Sequence, residues 1–159
     1  MADQVLQRDV AHLLTARLAT AFTALTAGGA GDNTNINGIA IDRFVGGSLA
    51  LNAEILLAFT ATLAATKALL LKGVKVWHGD DGVNWAADPY ASIVDPGQVA
   101  VGAAGGSTEK GVFKLGVDLG SAKRFIRVDF TPDLNAANTD TGTVVAILNL
   151  AGFDRLPAA

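Results

Sequence analysis

The chain of 159 residues contains no cysteine, and its only glutamates are Glu54 and Glu109. The lack of cysteine excludes Cys-ligated zinc, iron–sulfur clusters, thiol nucleophiles and disulfide frameworks. A catalytic pair of carboxylates would have to be built mostly from aspartates, and no pair stands out. No Gly-x-Ser-x-Gly nucleophile motif occurs either. The sequence therefore predicts a protein that is not an enzyme and that has no cofactor or metal centre.

Charge is also scarce, since 17% of the residues are charged while 50% are hydrophobic, and the formal net charge is −3. The densest basic spot, Lys123–Arg124 with Arg127, lies in a strand-like run. Nucleic-acid binding requires several convergent cations, so no nucleic-acid partner is expected. Few charges and many aliphatic residues also argue against disorder.

Segments that target or span a membrane are not evident. The longest apolar stretch, Ile55 to Leu71, is interrupted by threonines and Lys67, whereas a bilayer span needs about 20 predominantly apolar residues. Asp3 and Asp9 stand where a secretory signal would carry positive charge. We expect neither a membrane partner nor a signal peptide.

Short strands separated by turn residues dominate residues 28–159. The final third alternates apolar and polar residues, first in Phe113, Leu115, Val117 and Leu119 and then in Ile126, Val128 and Phe130. Val144–Leu150 is apolar on both faces, as in a central strand. Polar or turn-forming segments separate these runs: residues 28–38, Thr131-Pro132-Asp133 and Asn135–Gly142. This pattern predicts a mainly β fold, an antiparallel β-sandwich or barrel.

A long strand is predicted over Lys67–Trp77, with a change of face at its glycine. The apolar positions are odd before Gly73, at Leu69 and Leu71, and even after it, at Val74 and Val76. A β-bulge at the glycine would produce this shift.

The N-terminal segment, residues 1–27, reads as a separate arm or helix. Helical spacing connects an apolar stripe that includes Leu6, Val10, Leu14, Leu18 and Leu25, and Gly28 would end a helix. Threonines at 15, 20, 23 and 26 favour an extended arm instead. The stripe is a candidate interface with a neighbouring copy or, equally, a cover for the chain's own sandwich.

The segment from Trp77 to Trp85 is predicted to be a hairpin, because Asp81-Gly82 lies between apolar flanks. The two indoles would form either a buried aromatic pair, the commoner outcome, or an exposed platform for sugar stacking. His78 lies beside Asp80 and Asp81, and this cluster suggests a general base or a metal site. A polar turn explains the same residues as well.

Two other motifs in this part of the chain are weak. Calcium at Asp80, Asp81 and Asn84 is conceivable, although the spacing does not match an EF-hand loop. The glycine-rich run of residues 102–110 lacks the Gly-Lys-Ser/Thr and the following helix of a P-loop, and we interpret it as a flexible loop.

Several stretches resemble small structural proteins of tailed bacteriophages. KALLLKGVKVWHGDDGVNWAA is similar to their β-hairpin, and FKLGVDLGSAKRFIRVDFTPDLNAANTDTGTVVAILNLAGFDRLPA resembles their closing strands, while GAGDNTNINGIAIDRF fits the same pattern. Together these stretches cover roughly residues 28–158. The chain resembles the capsid decoration (cement) proteins, which have a jelly-roll-like β-sandwich.

This resemblance implies a structural virion protein on the capsid exterior, made in the host cytoplasm. It implies dimers or trimers that bridge subunits of the major capsid protein, and it supplies no catalytic residues. Low charge agrees with this expectation, because assembly requires exposed apolar surface. Two alternatives remain: a tail-tube, tail-terminator or head–tail connector protein, and a carbohydrate-binding module that uses Trp77 or Trp85.

Overall fold

The computed structural model describes residues 10–93, 95–135 and 139–153, which form an almost entirely β structure. One short helix, α1, comprises Val10–Leu13, and none of the described helices is long and apolar enough to cross a bilayer. The strands are β1 (Thr15–Leu18), β2 (Thr23–Thr26), β3 (Ile41–Asp42), β4 (Phe44–Val45), β5 (Ser48–Leu49), β6 (Asn52–Leu63), β7 (Ala68–Gly79), β8 (Ala91–Ser92), β9 (Gly97–Val101), β10 (Ser107–Asp118), β11 (Phe125–Leu134) and β12 (Thr141–Ala151).

Two antiparallel sheets make up the fold. The first sheet has the order β1–β12–β6–β10, and β2 also pairs with β12; the second has the order β3–β11–β7–β8, and β9 also pairs with β7. A small ribbon joins β4 to β5. β1 and β2 occupy one position beside β12, and β8 and β9 occupy one position beside β7. Each sheet therefore has four strand positions, and the eight together follow the strand order of a jelly roll. The predicted antiparallel, jelly-roll-like β-sandwich is confirmed.

The hydrophobic core lies between the inner faces of the two sheets. Alternate residues of β11, Ile126, Val128 and Phe130, are fully buried, as their spacing predicts. The predicted central strand is also confirmed, because β12 has β6 on one side and β1 and β2 on the other.

The predicted change of face at Gly73 is confirmed. Gly73 has a φ of 62°, and the pairing of β7 with β11 shifts register between Asp129 and Thr131. Because glycine has no Cβ, it adopts this left-handed conformation without steric cost. The bulge keeps Leu71 and Val74 on the same, buried side of the strand.

The predicted turn at Thr131-Pro132-Asp133 is wrong, because β11 continues through Pro132 to Leu134. The carbonyl oxygen of Pro132 accepts a hydrogen bond from the N–H of Asn33 at 2.8 Å. The nitrogen and carbonyl of a strand residue point to the same side, so the missing N–H of proline faces a loop rather than a neighbouring strand. Proline is tolerated in strands at such positions.

The helical interpretation of the N-terminal stripe is wrong beyond Leu13. Residues Thr15–Leu18 and Thr23–Thr26 are strands that pair with β12, and both lie before the predicted boundary at residue 27. Between them, the N–H groups of Ala19 and Thr20 donate to the carbonyl of Ala146. Pairing with the free side of β12, together with threonines that favour strands, outweighs the helical spacing.

Candidate interaction surface

The outer face of the first sheet is apolar along its two central strands. Ala146 of β12 and Leu57 of β6 point into the core, so their neighbours along each strand point outward. The pairing register places Val145 beside Ala58, and Ala58 beside Val112 of β10. Ile147 lies beside Leu56 in the next row. Val112 is 62% exposed, so this row reaches solvent at the edge of the sheet.

The N-terminal segment extends this surface to the other edge. Leu18 of β1 pairs with Ile147 and is 46% exposed. Phe22, between β1 and β2, is 70% exposed and lines a cavity of about 220 Å³ that Ala58 and Val145 also line. The apolar band therefore runs across all the strand positions of the sheet; it consists of Leu18, Phe22, Leu56, Ala58, Val112, Val145 and Ile147.

Polar groups frame the apolar band at both ends. At one end, Glu54 accepts a hydrogen bond from the side-chain amide of Asn149 at 3.0 Å, and Lys114 Nζ lies 3.4 Å from the same carboxylate. At the other end, the hydroxyls of Thr62 and Thr108 are 2.9 Å apart. An apolar centre with a polar rim is the usual composition of a protein–protein interface.

The outer face of the second sheet is built differently, and we call it the charged face: Lys72, Lys75, Arg127, Asp129 and Asp133. Lys72 and Asp133 are paired across β7 and β11 at 2.7 Å. Arg127 and Asp129 are paired at 2.8 Å, and Asp129 also accepts the N–H of Gly38 at 2.9 Å. Four of these five charges are thus neutralised by partners within the chain.

The two tryptophans belong to this charged face. Trp77 lies on β7, and the guanidinium carbon of Arg127 lies 5.7 Å from its ring centroid and 4.9 Å from that of Trp85. Both residues are half-buried. The guanidinium of Arg127 thus contacts both indole rings, and cation–π contacts at these distances are attractive. Arg127 occupies positions over both rings, where a stacking sugar would lie, and the carbohydrate hypothesis stays a prediction.

The predicted hairpin is wrong in part. The chain turns after β7, but the residues around Trp85 do not form a strand that pairs back with β7. β7 ends at Gly79, and the next strand paired with it is β8, at Ala91–Ser92. The Asp81 carboxylate accepts the backbone N–H groups of Asn84 and Val83, at 2.7 and 2.9 Å, and these bonds lower its pKa to about 2. Asp81 therefore shapes the loop that carries Trp85 back to Arg127.

His78 and Asp80 are used in local contacts. His78 Nδ1 accepts the backbone N–H of Lys123 at 3.2 Å, and its ring centroid lies 5.1 Å from that of Tyr90. Burial, followed by the charge of Lys123, lowers the pKa of His78. Asp80 pairs with the ammonium of Lys123 at 2.5 Å.

In the part of the chain that the structure describes, no three His, Asp or Glu side chains gather to hold a metal ion. The calcium hypothesis at Asp80, Asp81 and Asn84 loses an open ligand, because the Asp81 carboxylate is engaged by its own turn. In the glycine-rich run, only residues 102–106 form the predicted loop, a turn; the loop interpretation is wrong for residues 107–110, which already belong to β10.

The structure separates the five residues predicted as an interface. Leu18 belongs to the apolar band and Val10 is exposed on α1, whereas Leu14 is half-buried and Leu25 lies in the core of the chain itself. Leu6 lies outside the described residues.

Most of the apolar band was not identified from the sequence, although it left a signal there. Val144–Leu150 is apolar on both faces, a pattern that predicts a central strand. In an antiparallel sandwich, however, one face of each strand meets the core and the other is open. A second apolar face therefore also indicates a surface that lacks its cover.

Comparisons with known proteins give no family assignment: no family model and no curated protein matches the chain. Among solved structures, it is similar to the infectious bursal disease virus Gx strain, with 11% identity and a TM-score of 0.43 over 90% of this chain and 34% of that chain. The T13 particle of the same virus gives 12% identity and a TM-score of 0.44 over 91% and 32%. The VP2 subviral particle of this virus gives 10% identity and a TM-score of 0.44 over 91% of this chain and 33% of that chain.

These structural neighbours are viral capsid proteins, and the chain spans about a third of their length. With TM-scores below 0.5, the similarity carries no argument about function.

Proposed function

We propose that this chain is a structural virion protein, without catalytic activity, that decorates the capsid of a tailed bacteriophage. It stabilises the capsid by bridging subunits of the major capsid protein. The apolar band is the surface through which it docks on its partners. The observation that supports this proposal most directly is that one outer face of the sandwich carries an apolar band with exposed ends at Phe22 and Val112, while four of the five charges on the other face are paired within the chain.

The extent of the apolar band suits a docking role. It crosses four strand positions, which lie about 4.8 Å apart in a sheet, and its most exposed members are at opposite edges, Phe22 and Val112. Contiguous exposed apolar patches on soluble proteins mark interaction surfaces. Aromatic side chains such as Phe22 are enriched in such interfaces.

The partners in this proposal are other copies of the chain, as a dimer or trimer, and the major capsid protein. This choice comes from the sequence resemblance to phage decoration proteins. Residues 1–27 contribute Leu18 and Phe22 to the docking surface, which is the role proposed for the N-terminal arm. The charged face then points to solvent at the capsid exterior.

The test uses the purified protein and phage capsids that lack it. We expect the wild-type protein to form a stable oligomer and to bind expanded capsids in a fixed ratio. Phe22→Ser combined with Val112→Thr removes the exposed ends of the apolar band, and we expect capsid affinity to fall about tenfold or more. Lys75→Ser on the charged face is the matched control, because Lys75 is exposed and makes no ion pair with any residue that the structure describes. The capsid affinity of this variant should equal that of the wild type.

Three outcomes would contradict the proposal. A protein that stays monomeric and ignores capsids lacking it has no decorating role. Assembly into rings, or location at a unique vertex in images of the virion, would indicate a tail or connector protein. Binding to a glycan array that Trp85→Ala abolishes would indicate a carbohydrate-binding module.

A further inference from the structure

β10 is a long strand at the edge of the first sheet, and one of its two sides is open. It pairs with β6 over Ser107–Asp118 without a shift in register, and no strand of residues 10–93, 95–135 and 139–153 pairs with its other side. The other three edges of the two sheets are formed by strands of two to five residues: β1 with β2, β3, and β8 with β9. Short edge strands prevent pairing between molecules, whereas a long regular edge is a template for another strand.

The open side of β10 presents backbone groups that lack partners. The N–H of Leu119 donates to the carbonyl of Leu51, at 2.7 Å, where β10 runs on past β6. Because the backbone groups of successive residues point to opposite sides of a strand, the odd-numbered residues of β10 face β6. The even-numbered residues from Thr108 to Asp118 therefore point their N–H and C=O groups to the open side, where no other segment of the described chain reaches them.

The inner face of β10 is incompletely covered as well. Phe113 and Leu115 lie beside Leu57 and Ile55 of β6, which are 1% and 0% exposed and point into the core. Phe113, Leu115 and Val117 point the same way but are only half-buried at the margin of that core. A further strand beside β10 would shield these side chains from water, which is favourable for apolar surface.

A second copy of β10 fits the open side by two-fold symmetry, because a two-fold axis places a strand antiparallel to its own copy. Lysines on an edge oppose pairing, so the register has to accommodate Lys110 and Lys114. An axis at Val112 puts Lys110 directly opposite Lys114 of the copy, and like charges in that position are destabilising. An axis at Phe113 puts Lys110 opposite Gly116 of the copy and Lys114 opposite Val112 of the copy. That register pairs residues 108–118 and places no like charges directly opposite each other.

We propose that the chain forms a two-fold symmetric dimer by antiparallel pairing of β10 with β10 of a second copy, with Phe113 beside the axis. Phe113 and its copy then form a cross-strand aromatic pair. The apolar bands of the two copies join near the axis, since Val112 lies on the outer face of β10, and Phe22 stays at the far edge of each copy. This inference rests on the self-association in the proposed function and names the edge that produces it.

Sedimentation equilibrium of the purified protein tests the dimer, with two variants at Gly116. A Cβ added at Gly116 meets no atom within 4 Å, and its φ lies outside the left-handed region. Gly116→Pro removes an N–H that points to the open side and leaves the bonds to β6 in place. We expect a wild-type dimer whose dissociation constant rises about tenfold or more in Gly116→Pro. Gly116→Ala keeps the N–H, so this matched control should dimerise as the wild type does.

Single cysteines test the register and keep the inference testable if Gly116→Pro does not fold, because the chain has no cysteine of its own. Phe113→Cys places two thiols beside the axis, where opposing Cα atoms lie about 4.5–5.5 Å apart, within the range of a disulfide. Val117→Cys on the same inner face is the matched control, since its two copies would lie about 27 Å apart along the strands. We expect oxidation to cross-link Phe113→Cys and not Val117→Cys.

Several results would overturn the β10 dimer. These are a wild-type protein that is monomeric or trimeric, a Gly116→Pro variant that dimerises as tightly as the wild type, and a disulfide in Val117→Cys rather than in Phe113→Cys. Capsid binding by the same wild-type protein separates this result from a failure of the proposed function. A monomer that binds capsids overturns the β10 dimer alone, whereas a β10 dimer that ignores capsids supports the pairing and contradicts the virion role.

Discussion

The two outer faces of this sandwich differ in how completely the chain satisfies them. On the charged face, Arg127 and Asp129 are paired with each other, and Lys72 is paired with Asp133. On the opposite face, the apolar band has side chains such as Phe22 and Val112 that contact water over most of their surface. Most charges of one face are paired within the monomer, whereas the exposed side chains of the other face gain burial only when something covers them.

This difference shows that the few charged residues of the chain are unevenly distributed between the two outer faces. Removal of one partner of a buried ion pair is costly, because the other charge is left buried without compensation. Exposed apolar groups contribute little to the stability of the monomer, because burial from water is the source of their free energy. The charged face should therefore control folding, and the apolar band should control association.

The largest expected effect follows from loss of Asp129. Asp129 is 3% exposed and accepts hydrogen bonds from Arg127 and from the N–H of Gly38. Asp129→Ala leaves both donors without their acceptor. Because the Arg127 side chain keeps some contact with water, we expect a loss of roughly 2–4 kcal/mol in the free energy of unfolding, measured by urea denaturation.

Asp133→Ala is the matched control on the same face. The Lys72–Asp133 pair is more exposed, and pairs of this kind contribute about 0–1 kcal/mol. Equal losses in the two variants would show that burial does not distinguish the pairs, and the charged face would then have no special part in folding.

A smaller change in stability is expected on the apolar band. Val112→Thr keeps the branched Cβ that suits a strand, and Phe22→Ser removes a ring that is already exposed. Each substitution should change the free energy of unfolding by no more than about 0.5 kcal/mol, while their combination weakens capsid binding. A loss of several kcal/mol in the monomer would mean that the band is packed within the chain, and the contrast between the faces would fail.

Much of the fold was predictable because its signals are local. Alternation in β10 and β11 marks which residues face the core, and the phase change at Gly73 marks the bulge. Periodicity carries this information directly. The first two strands were not predictable in this way, since Leu18 and Leu25 also fit a helical stripe, and the free side of β12 that recruits them is distant in sequence.

The site was harder to predict, because its members come from separate strands. Val112, Ala58 and Val145 become neighbours only through the pairing register of β10, β6 and β12. Arg43 is a similar case: it is 3% exposed, and its guanidinium donates to the backbone carbonyls of Lys123, Ala50, Leu119 and Ala122. No carboxylate of the described residues pairs with Arg43, and nothing in the sequence marks this arginine as buried.

The smallest expected effect is a local change at the charged face in acid. The pKa of Asp81 is lowered from its ordinary value of 3.8 to about 2, first by the backbone N–H of Asn84 and then by that of Val83. A depressed pKa means that the folded state holds this carboxylate ionised, so its stabilising contribution is complete above pH 3.8 and is lost as the pH falls through 2. Protonation should loosen the loop that carries Trp85.

Tryptophan fluorescence reports this change selectively, because Trp77 and Trp85 are the chain's two tryptophans and both contact Arg127. In the wild-type protein we expect a fluorescence transition with a midpoint near pH 2, while Asp81→Asn, which has no charge to lose there, lacks this transition. Because titration of the other carboxylates is common to both proteins, the difference between the two curves isolates Asp81. If the curves coincide, the Asp81 turn does not position Trp85, and the order of the charged face comes from Arg127 and Asp129 alone.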